Sequence, residues 1–346
     1  MADRDILEIN VGPLSSFNSL NLYLSPGLDK LRSDYAKGKQ TIPVWDLRNI
    51  SPKGVAISAL VSFLSIAKKI RDFIGQPIEV LSLWQPEFQG FLSDIGFVQI
   101  SKEFDLFDWK GMLGGFSSGK TNPNTKIFYY SNLPSNFDNH DAIVAWKDSK
   151  RQDIKHSMLI KLNNIFDSKM IDERWSQNLE SVLTITAAEL IVNSLLHGRD
   201  IAFVGVQRSS KRITTTICDS GSGFPKSMRQ NHSWLKDRKL LRHVDALLIA
   251  SLLSKNKIGL YRAIDDVILT GGYVIISSFD CEIRWQHSIW EIAKLALETN
   301  GLSKIKLEDI GSPIEGFVET GRIQQGYYKT YPTFLVGSRI TFEIPL

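Results

Sequence analysis

Glu189, Asn193 and His197 recur every fourth residue in the segment Glu189-Leu-Ile-Val-Asn193-Ser-Leu-Leu-His197-Gly198. Residues four apart on an α-helix share one face, so the spacing predicts a polar row of carboxylate, amide and imidazole. Leu190, Ile191, Leu195 and Leu196 supply the apolar side of the same helix. A second block, Asp219-Ser-Gly221-Ser-Gly223, follows the β-branched run Ile213-Thr-Thr-Thr-Ile217-Cys218, which reads as a strand. An acid and two glycines at a strand end suit a tight turn in which backbone approaches a ligand.

These blocks need a scaffold, and the chain has the length and composition for one. Its 346 residues are enough for about two domains, and 43% hydrophobic residues support a core. A net charge of +4 spread over that length makes no clustered basic stripe, so nucleic acid is not an expected partner. The two cysteines, Cys218 and Cys281, lie in strand-like runs and read as buried reduced thiols. The N-terminus lacks the basic start and apolar stretch of a signal peptide. No run reaches roughly 18 uninterrupted apolar residues, so a cytoplasmic protein without a membrane span is expected.

Strands and helices alternate over residues 41–100. Thr41–Asp46, Ile78–Leu83 and Phe97–Ile100 read as strands. Val55–Phe73 and Pro86–Ile95 read as helices, the second closed by Gly96. Such alternation implies parallel βαβ connections. Gly114-Gly-Phe-Ser-Ser-Gly119-Lys120-Thr121 fits the phosphate-loop pattern, but that motif needs a helix beginning at the lysine. Asn122-Pro123-Asn124 and a strand-like Ile127–Tyr130 follow instead, so a linker is expected there. Helical spacing resumes from Asp153 through Ile165, and again from about Asp172 into the Glu189 block.

Together the Glu189 and Asp219 blocks resemble the first two boxes of the GHKL ATPases, the superfamily of gyrase, Hsp90, histidine kinases, MutL and anti-sigma serine kinases. The resemblance implies a site for ATP and Mg²⁺. Asn193 would give its side-chain oxygen to Mg²⁺, and Glu189 would orient a water or hydroxyl as general base. Asp219 would accept from the adenine amino group, while Gly221 and Gly223 let the backbone approach base and ribose. The family's lid ends in Gly-x-Gly-Leu; here Lys257-Ile-Gly259-Leu260 stands in that place, matching Gly259 but putting Lys257 where a glycine is usual. Gly337–Leu346 resembles the family's closing strand. The chain ends there, which leaves no transducer domain on this reading.

Residues 41–100 are similar to the STAS fold of anti-sigma-factor antagonists. The details are Asp46-Leu47 after a strand, a helix near Gly54, and Leu92-Ser-Asp-Ile-Gly96-Phe before another strand. Ser51-Pro-Lys-Gly54 stands where that family carries its phosphate-accepting serine. The resemblances imply an α/β chain of two domains. Residues 1–110 would form a STAS-like unit, 111–150 a connecting segment, and 151–346 a Bergerat sandwich of mixed sheet and helices. Additions to the minimal fold are a lid helix within Leu240–Leu253, rimmed by Arg238, Lys239, Arg242 and Lys255, and an insertion over 286–335. The insertion holds a helix near Ile289–Ala296 and a tyrosine-rich stretch at Tyr327–Pro332, which reads either as a docking surface or as ordinary packing.

The Asn193–Gly198 ending is most similar to the anti-sigma serine kinases. The implied function is an Mg-ATP-dependent signalling switch, a serine/threonine kinase or slow ATPase, with a protein partner bound through the STAS-like part or the insertion. The alternatives are a nucleotide-sensing interaction protein, which Lys257 favours, and a histidine-kinase-like protein with His156 as its acceptor.

Overall fold

The computed structural model describes residues 5–50, 54–81, 86–110, 124–131, 133–134, 139–165, 177–231, 243–252, 259–299 and 328–346. The first half builds a four-stranded sheet from β1 (Asp5–Asn10), β2 (Thr41–Asp46), β3 (Ile78–Leu81) and β4 (Phe107–Asp108). The strands lie in that order and are parallel at every pairing. Parallel neighbours require crossovers. These are α1 (Phe17–Ala36), α2 (Ile57–Ile74), and the pair α3 (Pro86–Asp94) and α4 (Phe97–Glu103).

β2, α2, β3 and α3 follow the sequence pattern, with one reversal after them. Phe97–Ile100, expected as a strand, forms α4. Gly96, at φ 94° and ψ 0°, turns the chain into the helix, and Phe97, Val98, Ile100 and Ser101 are then buried at helical spacing. Phe97 stacks on Phe63 and Phe107, so tertiary packing overrides the strand preference of four aromatic and β-branched-rich residues. β1 and α1 precede the segment in which the sequence pattern was readable. In α1 the Ser16 hydroxyl caps the helix by accepting from the Ser19 N–H, and Leu20, Leu24, Leu28 and Leu31 form its buried stripe.

The second sheet contains β5 (Thr125–Tyr130), β6 (Ala202–Arg208), β7 (Arg212–Asp219), β8 (Tyr273–Trp285) and β9 (Tyr328–Pro345). Its order is β5-β6-β7-β9-β8, and every pairing is antiparallel, which corrects the expected mixed sheet. The cause is local. A tight turn at Ser209–Arg212 folds β6 back onto β7, and β9 returns from the far end of the chain to lie between β7 and β8.

Helices α5 (His140–Ile165), α6 (Gln177–Gly198), α8 (His243–Leu252), α9 (Leu260–Leu269) and α10 (His287–Thr299) pack with one face of this sheet. α7 (Gly223–Asn231) follows β7. Residues 111–150, expected to connect two domains, contribute edge strand β5 and the start of α5. The insertion boundary also shifts. α10 is present, but β9 already begins at Tyr328, and Tyr331 packs edge-on against Phe17 with its hydroxyl on Glu282. The remainder of the insertion, 300–327, lies outside the described residues.

The two sheets share a core. Residues 59–67 of α2 are buried without interruption, as expected of a helix apolar all round. One side meets Trp45 and Phe107 of the parallel sheet, and the other meets β6, β7 and β9 of the antiparallel one. Phe203 and Cys218 turn toward α2, whereas Val204, Val206 and Ile217 turn to the opposite helical layer. The result is four layers: parallel sheet, helices, antiparallel sheet, helices.

Gly205 permits this seam. A Cβ there would stand 2.5 Å from Val61 Cγ2 and 2.6 Å from Ile57 Cγ1. Gly205→Val is expected to destabilise the protein by about 1–3 kcal/mol through overpacking, read as a lower denaturant midpoint. Both cysteines are buried thiols, Cys218 beside the Ser62 hydroxyl and Cys281 on the Ser278 carbonyl, and burial pushes Cys218 up to about 12. Among the described residues one helix, Glu180–Gly198, is long and apolar enough to cross a membrane by length and composition. It belongs to α6, and more than half of it is buried inside the protein.

Candidate functional site

The polar row predicted on α6 forms in part. Asn193 Nδ2 donates to Glu189 Oε1 at 3.2 Å, one helical turn away, so the Asn193 oxygen is left for another partner. His197 lies one turn further on, exposed in the last turn of the helix. Leu183, Ala187, Leu190, Ile191 and Leu195 anchor the opposite side of α6 in the core.

A residue that the motif did not indicate closes on this row. Arg151 of α5 holds Glu189 with two nitrogens, Nε to Oε2 at 2.5 Å and Nη2 to Oε1 at 3.2 Å. Lys147, one turn earlier on α5, is partly buried; desolvation, helped by the Arg151 charge, holds its ammonium below the usual lysine range. The Arg151–Glu189 pair forms only when α5 packs along α6, and 38 residues separate its members, so no local pattern announces it.

Asp219 closes β7 beside the C-terminus of α6. The two elements touch through glycines. A Cβ on Gly221 would stand 2.5 Å from Gly198 Cα, and one on Gly198 would stand 2.9 Å from Asp219 Cβ. Asp219 is 3% exposed. Its Oδ1 accepts from the main-chain N–H of Gly221 at 2.9 Å and of Ser338 at 3.3 Å. Burial raises its carboxyl to about 6, against the two N–H donors and the nearby Arg339 charge. Arg339 is itself buried, with its guanidinium 4.4 Å above the Phe17 ring, and desolvation lowers its pKa. A carboxylate kept dry, fixed by backbone and pushed toward neutral pH is the environment expected of a binding group.

Glycines at left-handed conformations frame this acid. Gly337, at φ 88°, passes so close that a Cβ would stand 2.0 Å from the Asp219 carbonyl oxygen. Gly223, at φ 72°, lies under Phe279, whose ring would be 2.0 Å from an added Cβ. Phe279 has φ 53° at an irregular point of β8 and stacks on His243, which pairs with Asp280. In the sequence, Phe279 and Asp280 sit inside an ordinary strand-like run, and nothing there marks the irregularity. Gly259, at φ 67°, precedes α9 without a side-chain cap, and α9 packs on α6. Glu189 and Asn193 thus lie on α6, and β7, α7 and α9, which each contact α6, carry or adjoin Asp219, Gly221, Gly223 and Gly259. Lys257 lies outside the described residues, as do Lys120 and Ser51.

No family model, curated protein or solved structure matches this chain. The reading of the site therefore rests on its own residues. Among the described residues no three His, Cys, Asp or Glu side chains gather as a metal cluster. A cation held chiefly by water and by a ligand's own oxygens needs no such cluster, and the Asn193 oxygen is one hard donor that suits it.

The phosphate-loop pattern is followed by β5 from Thr125, where a phosphate loop demands a helix. His156 is exposed on α5. The helix packed along α5 is α6, which itself carries Glu189 and Asn193, so the pair is not a separate phosphoacceptor hairpin ahead of the site.

Proposed function

We propose that the chain binds Mg-ATP in the manner of the GHKL superfamily and serves as an ATP-dependent regulatory switch. The observation that carries the reading is the Asp219 carboxylate, buried and fixed by Gly221 and Ser338, against the Gly198 end of the helix bearing Glu189 and Asn193. In this reading Asp219 accepts from the adenine amino group, and Gly221 and Gly223 admit base and ribose. The Asn193 oxygen holds Mg²⁺, and the uncapped start of α9 at Gly259 faces negative charge. Mg-ATP supplies a transferable phosphoryl group.

The N-terminal half is proposed as STAS-like on narrower grounds: β2 ends at Asp46, and α2 opens just past Gly54. The third detail of that likeness, a strand after Gly96, is a helix. The shared core around α2 suits intramolecular control, because a change in either sheet is felt by the same helix.

One observation favours binding without rapid turnover. Glu189, the candidate base, is already engaged by Arg151. A base must be free to take a proton from water or hydroxyl, so this ion pair has to open for chemistry. Phosphate release from ATP is expected to be slow in the wild type and several-fold faster in Arg151→Gln, with Glu189→Gln inactive; equal rates in all three would remove Glu189 from the mechanism.

Base selectivity tests the binding reading directly. Guanine presents a carbonyl where adenine presents its amino group, so an ionised Asp219 repels it. Calorimetric titration is expected to show ATP bound at least about tenfold tighter than GTP. Equal affinity for the two would contradict the placement of Asp219 at the base.

A further inference from the structure

A cleft of about 460 Å³ opens at the β5 edge of the antiparallel sheet, between α4, β5 and α5. Its floor is the outer edge of β5. The Arg208 N–H bonds the Asn124 carbonyl, which sets the register so that Lys126, Phe128 and Tyr130 exchange main-chain bonds with β6. The main-chain groups of Ile127 and Tyr129 therefore point outward, away from the sheet. Ile127 is already covered: its N–H donates to the Ile95 carbonyl, and its own carbonyl lies against Gly96. Tyr129 and Ser131 lie beyond that cover, within the cleft.

The walls carry the second half of the argument. α5 runs antiparallel to β5, with Phe128 beneath Lys161 and the Tyr130 hydroxyl on Ser157. Lys150 and Lys161 both line the cleft, and they are 11 residues apart, close to three helical turns on one face. Neither forms an ion pair among the described residues. The α4 wall offers Gln99 and Ile100. Among the described residues no Asp or Glu lines the cleft; Glu103, at the end of α4, is held by the Tyr129 hydroxyl.

We propose that this cleft docks an extended acidic segment of a protein partner, which adds a short strand to β5. Main-chain pairing to Tyr129 supplies register. Alternate side chains of the guest face α5, where the two lysines select carboxylates, and the others face Ile100 and Gln99. The lysines stand about 16 Å apart along the helix; acids four residues apart on one face of a strand span about 13 Å, and the flexible lysine side chains close the remaining ~3 Å. The proposal is independent of the ATP reading, since none of these residues belongs to the Asp219 site.

Random hexapeptides displayed on phage and selected on the wild-type protein are the probe. Selected sequences are expected to carry Asp or Glu four residues apart without intervening proline. A synthetic peptide of the consensus should bind Lys150→Gln/Lys161→Gln at least about tenfold more weakly. It should also slow hydrogen exchange at the Tyr129 amide. Both lysines are partly exposed, so the variant keeps its fold, which circular dichroism checks. Selection without enrichment, enrichment without acidic bias, an unchanged affinity in the double variant, or an unprotected Tyr129 amide would each overturn the proposal.

Discussion

Asp219→Asn is expected to weaken ATP binding by roughly 30- to 150-fold while making the free protein more stable. The binding loss follows from replacing a charged acceptor by an amide whose NH₂ opposes the adenine amino group, about 2–3 kcal/mol. The stability gain follows from linkage. Burial raises the carboxyl from 3.8 to about 6 in the folded protein. Between those values the folded state holds a proton that the unfolded state has released. Stability from this group is therefore greatest below 3.8 and falls as pH rises to about 6. Asparagine keeps an acceptor for Gly221 and Ser338 and never ionises, so at pH 7 it removes a penalty of up to roughly 3 kcal/mol.

Thermal melts of the two proteins should coincide in acid and separate across that interval, with the variant higher. ATP affinity of the wild type should rise through the same interval, because adenine needs the ionised form. A structural acid would behave differently, with its removal lowering stability at neutral pH. Loss of binding together with gain of stability is the mark of a group held in place for a ligand.

Gly337→Ala is expected to be the most damaging of the glycine substitutions, at about 3 kcal/mol or more. Two effects combine. The φ of 88° is strained for any L-residue with a Cβ, about 1–2 kcal/mol. The added carbon would also stand 2.0 Å from the Asp219 carbonyl, a backbone atom that no rotamer change can move. β9 must then shift away from β7, which carries the Ser338 N–H off Asp219. Chemical denaturation should show a sharply lower midpoint, and ATP binding should fall with it. Gly38→Ala is the control. It has φ 75° with nothing within 4 Å, so it isolates the conformational part. Equal losses at the two positions would show that close packing around Asp219 is not what Gly337 provides.

The site's skeleton was legible because it is written in local spacing. Glu189 and Asn193 fall four apart on an apolar-backed helix, and Asp219 with its glycines ends a β-branched run. The partners of those residues were not legible, because they arrive from elsewhere. Arg151 reaches Glu189 across two helices, Ser338 reaches Asp219 from the returning β9, and Phe279 covers Gly223 from an irregular turn of β8.

In the fold, the alternation over 41–94 gave the parallel sheet, since each element carries its own period. Phe97–Ile100 misled because four residues rich in β-prone types are compatible with either period until Phe97 finds Phe63 and Phe107. The leucine stripe of α1 is interrupted by Pro26, which obscures an otherwise helical spacing. The seam at Gly205 is invisible to any local reading, as it depends on which helix crosses the sheet there.

The central claim is that α6 and the end of β7 form one Mg-ATP site. Calorimetric titration with ATP, with and without Mg²⁺, on wild type and Asn193→Ala tests it most directly. Wild type should bind with an affinity that Mg²⁺ strengthens by at least about tenfold. Asn193→Ala should melt like wild type and retain at most weak binding that Mg²⁺ no longer improves. Undiminished Mg-dependent binding by Asn193→Ala, or no ATP binding by the folded wild type, would contradict the account.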